Sequence, residues 1–540
     1  MTAACRFLTT ARARADGVTR NAALALISAL AACGAPSSSA SKPAAWIDDT
    51  QRGVDLGAPR EDERGVKLPA PGARAGAAPG SLPEVSSPAA DVALLLDGAD
   101  GYRATVARII AAARADDGAY RKLAHLTDRI GHRLSGSPGL AAAIEWTAAE
   151  LARDGHVARK EKVMVPVWRR GHESAEVVAP VSRPLPVLGL GGSVATPRGG
   201  LTARVVVVQT FAELAAKAAQ VKGAIVLYNV ALPAYSDVHG SGYGEVVQYR
   251  GGGAIAAAKL GAAAVLVRSV TAHSLRTLHT GAMRYQEGVA KIPAASVTTE
   301  DADWLARLAA DGGEVKVRLT LESAQLPDAE SANVIGELRG RELPEEIVVI
   351  GAHLDSWDVG QGAHDDGAGC VVMMQVLTTL RRLGLTPRRT IRVVLFTNEE
   401  NGVRGARAYA EAHREEGSRH VLAIESDSGG FAPRGFDVEV KDPAAQRRVV
   451  GRVAAVASLL RELGATTVKP GHSGTDIEPL TAYGVPALGL RVDGRTYFDV
   501  HHTAADTLDK VDPRQLADNV AAVAVMAYLA ADWPTRFDAP

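Results

Sequence analysis

The sequence is poor in cysteine, aromatics and net charge, and each shortage excludes something. Three cysteines stand among 540 residues. Cys5 and Cys33 lie near the start, so the rest of the chain has Cys370 alone and no partner for an intramolecular disulfide. Cys370 falls in an apolar run with helical spacing and reads as a small core residue, not a nucleophile. Aromatics make up 4% of the chain; with abundant alanine and 54 glycines, this reads as genomic composition bias. The formal net charge of -1 supplies no global field to gather nucleic acid or anionic lipid. What is there, 47% hydrophobic and 22% charged residues, is ordinary globular material with ample stock for a core.

The N-terminus reads as an export signal. Arg6, Arg12, Arg14 and Arg20 precede an apolar run at 22–32 that is too short to span a bilayer. The run ends Leu30-Ala31-Ala32-Cys33-Gly34, and small residues before a cysteine resemble the bacterial lipobox. On that reading 1–32 is a lipoprotein signal peptide and Cys33 carries lipid, the chain's one membrane contact. Gly34 is no inner-membrane retention cue, which favours the outer membrane; a plain secretory signal, giving a secreted or periplasmic protein, is the alternative. Residues 33–95 are rich in Ala, Pro, Gly and Ser without apolar periodicity and read as a flexible linker.

Helical spacing appears at 102–115, 119–130 and 139–154, and 160–167 reads as a strand. The texture changes at 184–325, where short strands such as 204–209, 223–229 and 262–268 alternate with Ala-rich helices. This stretch is expected to be a separate inserted domain between 96–183 and 326–540. Gly251-Gly252-Gly253 precedes a helical run but lacks the Gly-Lys-Ser/Thr of a phosphate loop, so it reads as a turn. From 331 onward continuous apolar strands at 346–353, 390–397 and 420–426 alternate with helices. Such strands imply an α/β fold, a sheet buried on both faces by helices. Ligands in such sheets gather beyond the carboxyl ends of the strands.

Those ends carry the chemistry. His353 follows one strand, and Asp355 is placed to hydrogen-bond its other ring nitrogen. Asp365-Asp366 sets two carboxylates side by side among Gly362, Gly367 and Gly369, an arrangement that repels unless a cation is present. Glu399-Glu400 follows the next strand; one glutamate can bind metal while the other takes a proton from water. Asp427 follows the third, and His501-His502 precede Asp506 near the C-terminus. Oxygen and nitrogen donors without cysteine suit zinc, manganese or cobalt, and two imidazoles favour zinc. The loop Gly471-His472-Ser473-Gly474-Thr475 reads equally as a substrate contact, through Ser473, Gly474 and Thr475, or as a plain surface loop. It fails the last position of Gly-x-Ser-x-Gly, which argues against a serine hydrolase.

His353-Leu354-Asp355-Ser356, Asp365-Asp366-Gly367-Ala368-Gly369, Glu399-Glu400, Asp427 and His502-Thr503-Ala504-Ala505-Asp506-Thr507 together resemble the co-catalytic zinc aminopeptidase and glutamate carboxypeptidase family. The run from Gly351 to Gly362, with Gly474-Thr475-Asp476-Ile477 and the double His501-His502, resembles one branch of it closely. Arg133-Leu134-Ser135-Gly136-Ser137 resembles an element upstream of the insertion. The resemblance covers nearly everything from about residue 100. It implies a zinc-exopeptidase-like mixed sheet sandwiched by helices, with a protease-associated domain inserted at 184–325. It implies two zinc ions: His353 and Asp427 on one, Glu400 and His502 on the other, Asp365 bridging, Glu399 as general base and Asp355 behind His353. His501 competes with His502; the spacing to Asp506-Thr507 favours His502. The Asp365–Asp366 peptide resembles a family site that is often cis. Hydrolysis of dipeptides or short unblocked peptides is implied, by carboxypeptidase or dipeptidase action or, alternatively, aminopeptidase action. A homodimer is the assembly suggested. A glutaminyl cyclase would use one zinc and a non-catalytic module none, yet both ligand sets are complete here.

Overall fold

The computed structural model describes residues 98–236 and 240–540. The stretches read from the sequence as signal peptide and linker, with Cys33, lie outside them. Among the described residues no helix is long and apolar enough to cross a membrane.

Two eight-stranded sheets organise the chain. The strands of the first are β1 (Val157–Arg169), β2 (Ala324–Leu338), β3 (Leu343–His353), β4 (Arg389–Phe396), β5 (His420–Glu425), β6 (Pro433–Glu439), β7 (Thr467–Pro470) and β8 (Ala487–Val492). Their spatial order is β1-β2-β4-β3-β5-β8-β6-β7. The centre is parallel: β4 with β3, β3 with β5, β5 with β8. The flanks turn antiparallel, β1 with β2, β2 with β4 and β8 with β6, so the sheet is mixed.

Alternation explains why the central strands read as unbroken apolar runs. Val348, Ile350 and Ala352 of β3 pack into a cluster with the helices Ala368–Arg382 and Pro513–Asp532. Their neighbours Ile347 and Val349 face Ala406 and Tyr409 of the helix Arg404–Ala412 and Leu480 of Glu478–Thr481. Successive strand residues point to opposite faces, so a sheet covered on both sides needs apolar residues at every position.

The second sheet is built between Glu173 and Leu321, with Leu201–Val208, Ile225–Tyr228, Ala264–Arg268 and Ala294–Val297 at its centre. It starts earlier than the sequence boundary at 184, because Glu173–Ala179 pairs with Lys316–Leu321 rather than with β1. It ends before 325, because β2 begins at Ala324 and runs back along β1. The Gly251–Gly253 run is a further difference. It lies inside the helix Tyr243–Lys259, not in a turn before it. A Cβ on Gly253 would sit 2.7 Å from the Tyr228 ring, so the glycine lets the helix settle on that ring, and the Tyr228 hydroxyl donates to the Gly253 carbonyl at 2.9 Å.

Candidate metal centre

β3 lies between β4 and β5, its successors in the chain. The chain leaves β3 for one side and then crosses to the other, and a crevice opens at such a switch point. His353 ends β3, Thr397–Glu400 continue β4, and Ser426–Asp427 continue β5. The segment after β8 returns to add His501 and His502.

Asp365 sits in the middle. Its Oδ1 lies 3.1 Å from His353 Nε2, and its Oδ2 lies 3.1 Å from His502 Nε2. His353 Nε2 is also 3.3 Å from Asp427 Oδ1, and His502 Nε2 is 3.1 Å from Glu400 Oε2. All five side chains named for metal from the sequence therefore converge on two adjoining centres. Asp365 Oδ2 and Glu400 Oε1 are buried without a hydrogen-bond partner, although an imidazole stands against the first. Carboxylate oxygens and imidazole nitrogens gathered this closely are placed to hold a shared cation. Three acids and two imidazoles without sulfur suit zinc. His501 Nε2 is 3.6 Å from Asp365 Oδ2, and the ligating atoms of Asp365, His501 and His502 also lie within 4.8 Å of each other. Of the two, His502 also meets Glu400, at 3.1 Å.

Electrostatics agree. Burial would lower His502, yet Glu400 and Asp365 lift it to about 9. Burial would raise Asp365, yet His353 and His502 hold it well below the carboxylate range. Burial, with Asp365 beside it, pushes Glu400 up to about 7. Glu399, half-buried, is driven well above its usual range by burial and by Asp427 and Glu400. Charges of one sign pressed together in this way are relieved by a bound cation.

The supports differ from expectation at one point. Asp355 does not hydrogen-bond His353 through its carboxylate. His353 Nδ1 lies 3.0 Å from the Asp355 backbone oxygen and 3.9 Å from the nearer carboxylate oxygen. The carboxylate is already engaged: it accepts the amides of Glu399 and Glu400 at 3.0 and 3.3 Å and the Ser135 hydroxyl at 3.3 Å. Asp355 thus anchors the turn that carries both glutamates. Asp506 does the same for Asp365, accepting the amides of His364 and Asp365 at 2.7 and 3.1 Å. Asp366 accepts the His353 amide at 3.2 Å and the Gly369 amide at 3.1 Å. The peptide between Asp365 and Asp366 is cis.

Arg133 carries a role that sequence reasoning did not assign. Fully buried, it donates to the carbonyls of Leu354, Gln361 and Gly362 at 2.8, 2.7 and 2.9 Å, holding the loop between His353 and Asp365. Its only signal was its place in the Arg133–Ser137 motif. The second sheet adds residues with no signal at all. Thr280 receives the His502 Nδ1 at its carbonyl (3.3 Å) and donates its amide to the His502 carbonyl (3.0 Å). Gly191 lies against Trp357 so closely that a Cβ would be 1.9 Å from the ring. Of the substrate candidates, Ser473 turns inward: its amide and hydroxyl both donate to Glu439 at 3.0 Å. Gly474, at φ 136°, abuts the Glu425 carboxylate, which accepts the amides of Asp476 and Ile477. Among the described residues no contact places the side chain of Thr475 at the centre.

Known proteins share this architecture. The profile of peptidase family M28 matches residues 333–527. Carboxypeptidase Q of Mus musculus is 42% identical over 414 residues, 76% of this chain and 85% of that protein. Carboxypeptidase Q of Homo sapiens is 41% identical over 420 residues, 78% and 86% of the two chains. Among solved structures, a peptidase M28 precursor from Shewanella amazonensis superimposes with a TM-score of 0.77 at 39% identity, covering 81% of this chain and 98% of its own. The zinc aminopeptidase of Bacillus subtilis shares the fold, with a TM-score of 0.56 at 20% identity over 78% and 96% of the chains. On this likeness, carried through the sheet and its ligand-bearing strand ends, the chain belongs to peptidase family M28 and is a zinc metallopeptidase.

Proposed function

We propose that the protein is a di-zinc exopeptidase that cleaves dipeptides or short unblocked peptides, with carboxypeptidase or dipeptidase polarity. One observation carries the reading: Asp365 offers its two oxygens to two separate imidazoles, each of which meets a further acid. In this assignment His353 and Asp427 would hold one ion and Glu400 and His502 the other, with Asp365 shared between them. Bound there, the ions supply Lewis acidity that polarises the scissile carbonyl and brings the pKa of water toward neutrality. Glu399 does the proton work. It takes a proton as the water oxygen bonds to the carbonyl carbon and the C=O electron pair moves onto oxygen. It returns that proton to the amide nitrogen as the C–N bond breaks. Asp355 serves by holding the Glu399 and Glu400 amides in place.

The polarity is supported by 41–42% identity to proteins named carboxypeptidase Q. The sheet at 173–321 is read as a protease-associated domain, and the motif ending in Cys33 supports an exported, lipid-anchored enzyme. Elemental analysis should give two zinc ions per chain, and dipeptides with a blocked C-terminus should be poorer substrates than those with a blocked N-terminus. The reverse order would make the enzyme an aminopeptidase. Glu399→Gln should abolish turnover while both ions stay bound; retained turnover would remove Glu399 from its role.

A further inference from the structure

The second sheet sets one polar pair against the paired histidines beside the metal centre: Arg250 meets His502 and Tyr243 meets His501. Tyr243 and Arg250 stand two turns apart on one face of the helix Tyr243–Lys259. Arg250 is 7% exposed. Its Nη1 approaches the Thr280 carbonyl at 3.3 Å and His502 Nδ1 at 3.4 Å, and its Nη2 donates to the Tyr243 hydroxyl at 2.6 Å. No carboxylate pairs with it among the described residues. Room is made for it deliberately: a Cβ on Gly281, at φ 135°, would fall 2.4 Å from the guanidinium.

Tyr243 is held as firmly. Its ring stacks on Phe498 at 4.7 Å and meets the His501 ring edge-on at 5.5 Å. The phenol oxygen receives the guanidinium, and its own proton has no acceptor among the described residues. Burial, with Asp365 and Glu400 nearby, raises this phenol above its ordinary value, so it keeps its proton at neutral pH. A phenol that accepts from a cation is a stronger donor through its remaining proton. The metal-binding acids bring negative charge, and this pair is a side-chain donor group that the second sheet adds beside them.

We propose that Tyr243 is a catalytic residue that donates its O–H to the oxyanion formed on the scissile carbonyl, with Arg250 polarising the phenol from behind. The assignment rests on the peptidase reading above. It also gives the inserted sheet a part in the chemistry: without the insert the oxyanion loses a donor.

The test compares wild type and Tyr243→Phe, both loaded with zinc and checked by elemental analysis. The substitution removes one oxygen and leaves the ring stacked. Loss of one oxyanion donor typically costs 10²–10³ in kcat, so kcat should fall about 100-fold while KM moves by about 2-fold or less. Affinity for a phosphinic dipeptide isostere, measured by calorimetry, should fall by a similar factor, and affinity for the amino-acid product should hold. Arg250→Lys, which keeps the charge and loses the forked donor, should fall between the two. A Tyr243→Phe enzyme with wild-type kcat and wild-type phosphinate affinity would overturn the proposal and leave the peptidase reading intact. A wild type that binds zinc yet hydrolyses no dipeptide would overturn both.

Discussion

The two sheets bury charge differently. Around the first, Lys122, Arg133, Asp355, Asp365, Asp366, Arg389, Arg392, Glu400, Glu425, Asp476 and Asp506 are all buried. Between Glu173 and Leu321, the described residues bury two formally charged side chains, Arg250 and Asp301. Asp301 is satisfied locally by Arg276 at 2.7 Å and by the Thr298 hydroxyl. Arg250 is not; it faces His502 and Tyr243 instead. The second sheet thus keeps an apolar interior and breaks that rule at its seam with the first. Departures from a local rule collect where function is built.

The largest expected effect strikes the first sheet. Asp365→Asn removes the carboxylate that faces both imidazoles. Turnover should fall by about 10⁴-fold or more, the scale of losing one member of a set that acts as a unit. Zinc content should drop with it by elemental analysis. A variant that held two ions at wild-type affinity would show that the bridge lies elsewhere and would erase the contrast between the sheets.

The next effect is on stability. The Lys122 side chain is 7% exposed, and its Nζ meets Asp154 Oδ2 at 2.7 Å and Gln375 Oε1 at 2.6 Å. Asp154→Asn leaves a buried ammonium without its counter-charge, which should cost about 3–5 kcal/mol by urea unfolding at neutral pH. The sign with pH follows from the carboxylate. Burial would raise Asp154, but Lys122 and the Thr378 hydroxyl hold it below its ordinary value. A depressed carboxylate stabilises above its unfolded pKa of about 3.9 and loses that contribution as pH falls through the folded value. The gap between wild type and Asp154→Asn should therefore be full at pH 7 and shrink below about pH 4. A gap that stayed constant with pH would assign the cost to packing.

The first sheet was legible because its signals are local. Strands buried on both faces are apolar at every position, and His353, Glu399-Glu400 and Asp427 sit at or within a few residues of the ends of three of them. Chain order placed these residues near strand ends, and the resemblance to a known family supplied their roles. The supports were not legible. Arg133 reaches carbonyls more than 200 residues away, and the motif it opens marks its place without showing what it holds. The Asp355 carboxylate looked placed for an imidazole nitrogen; only the folded turn shows that the Glu399 and Glu400 amides claim it first. Thr280, Arg250 and Tyr243 lie in an insert whose own sequence describes a self-contained small domain. The glycine run at 251–253 misled for a related reason: close packing on Tyr228, a tertiary contact, outweighed helix propensity.

The smallest effect asks whether the seam joins the sheets into one folding unit. Each side has a helix with a hydroxyl cap. Ser137 accepts the Leu140 amide at 3.1 Å ahead of Pro138–Arg153, and Thr298 accepts the Asp301 amide at 3.0 Å ahead of Thr299–Ala310. Replacing such a cap by alanine costs about 1 kcal/mol. Thr298→Ala should lie toward about 2 kcal/mol, the upper end of that range, because the same hydroxyl also donates to buried Asp301 at 2.7 Å. Neither residue touches the metal centre, so kcat should hold in both variants. If the Thr280–His502 and Arg170–Asp358 contacts bind the sheets into one cooperative unit, both variants shift a single calorimetric transition, Thr298→Ala by more. If Thr298→Ala instead splits off an earlier transition that Ser137→Ala leaves unmoved, the insert melts alone. The active site would then lose Tyr243 and Arg250 before it loses its metal ligands, and peptidase activity would fade at a temperature where zinc is still bound.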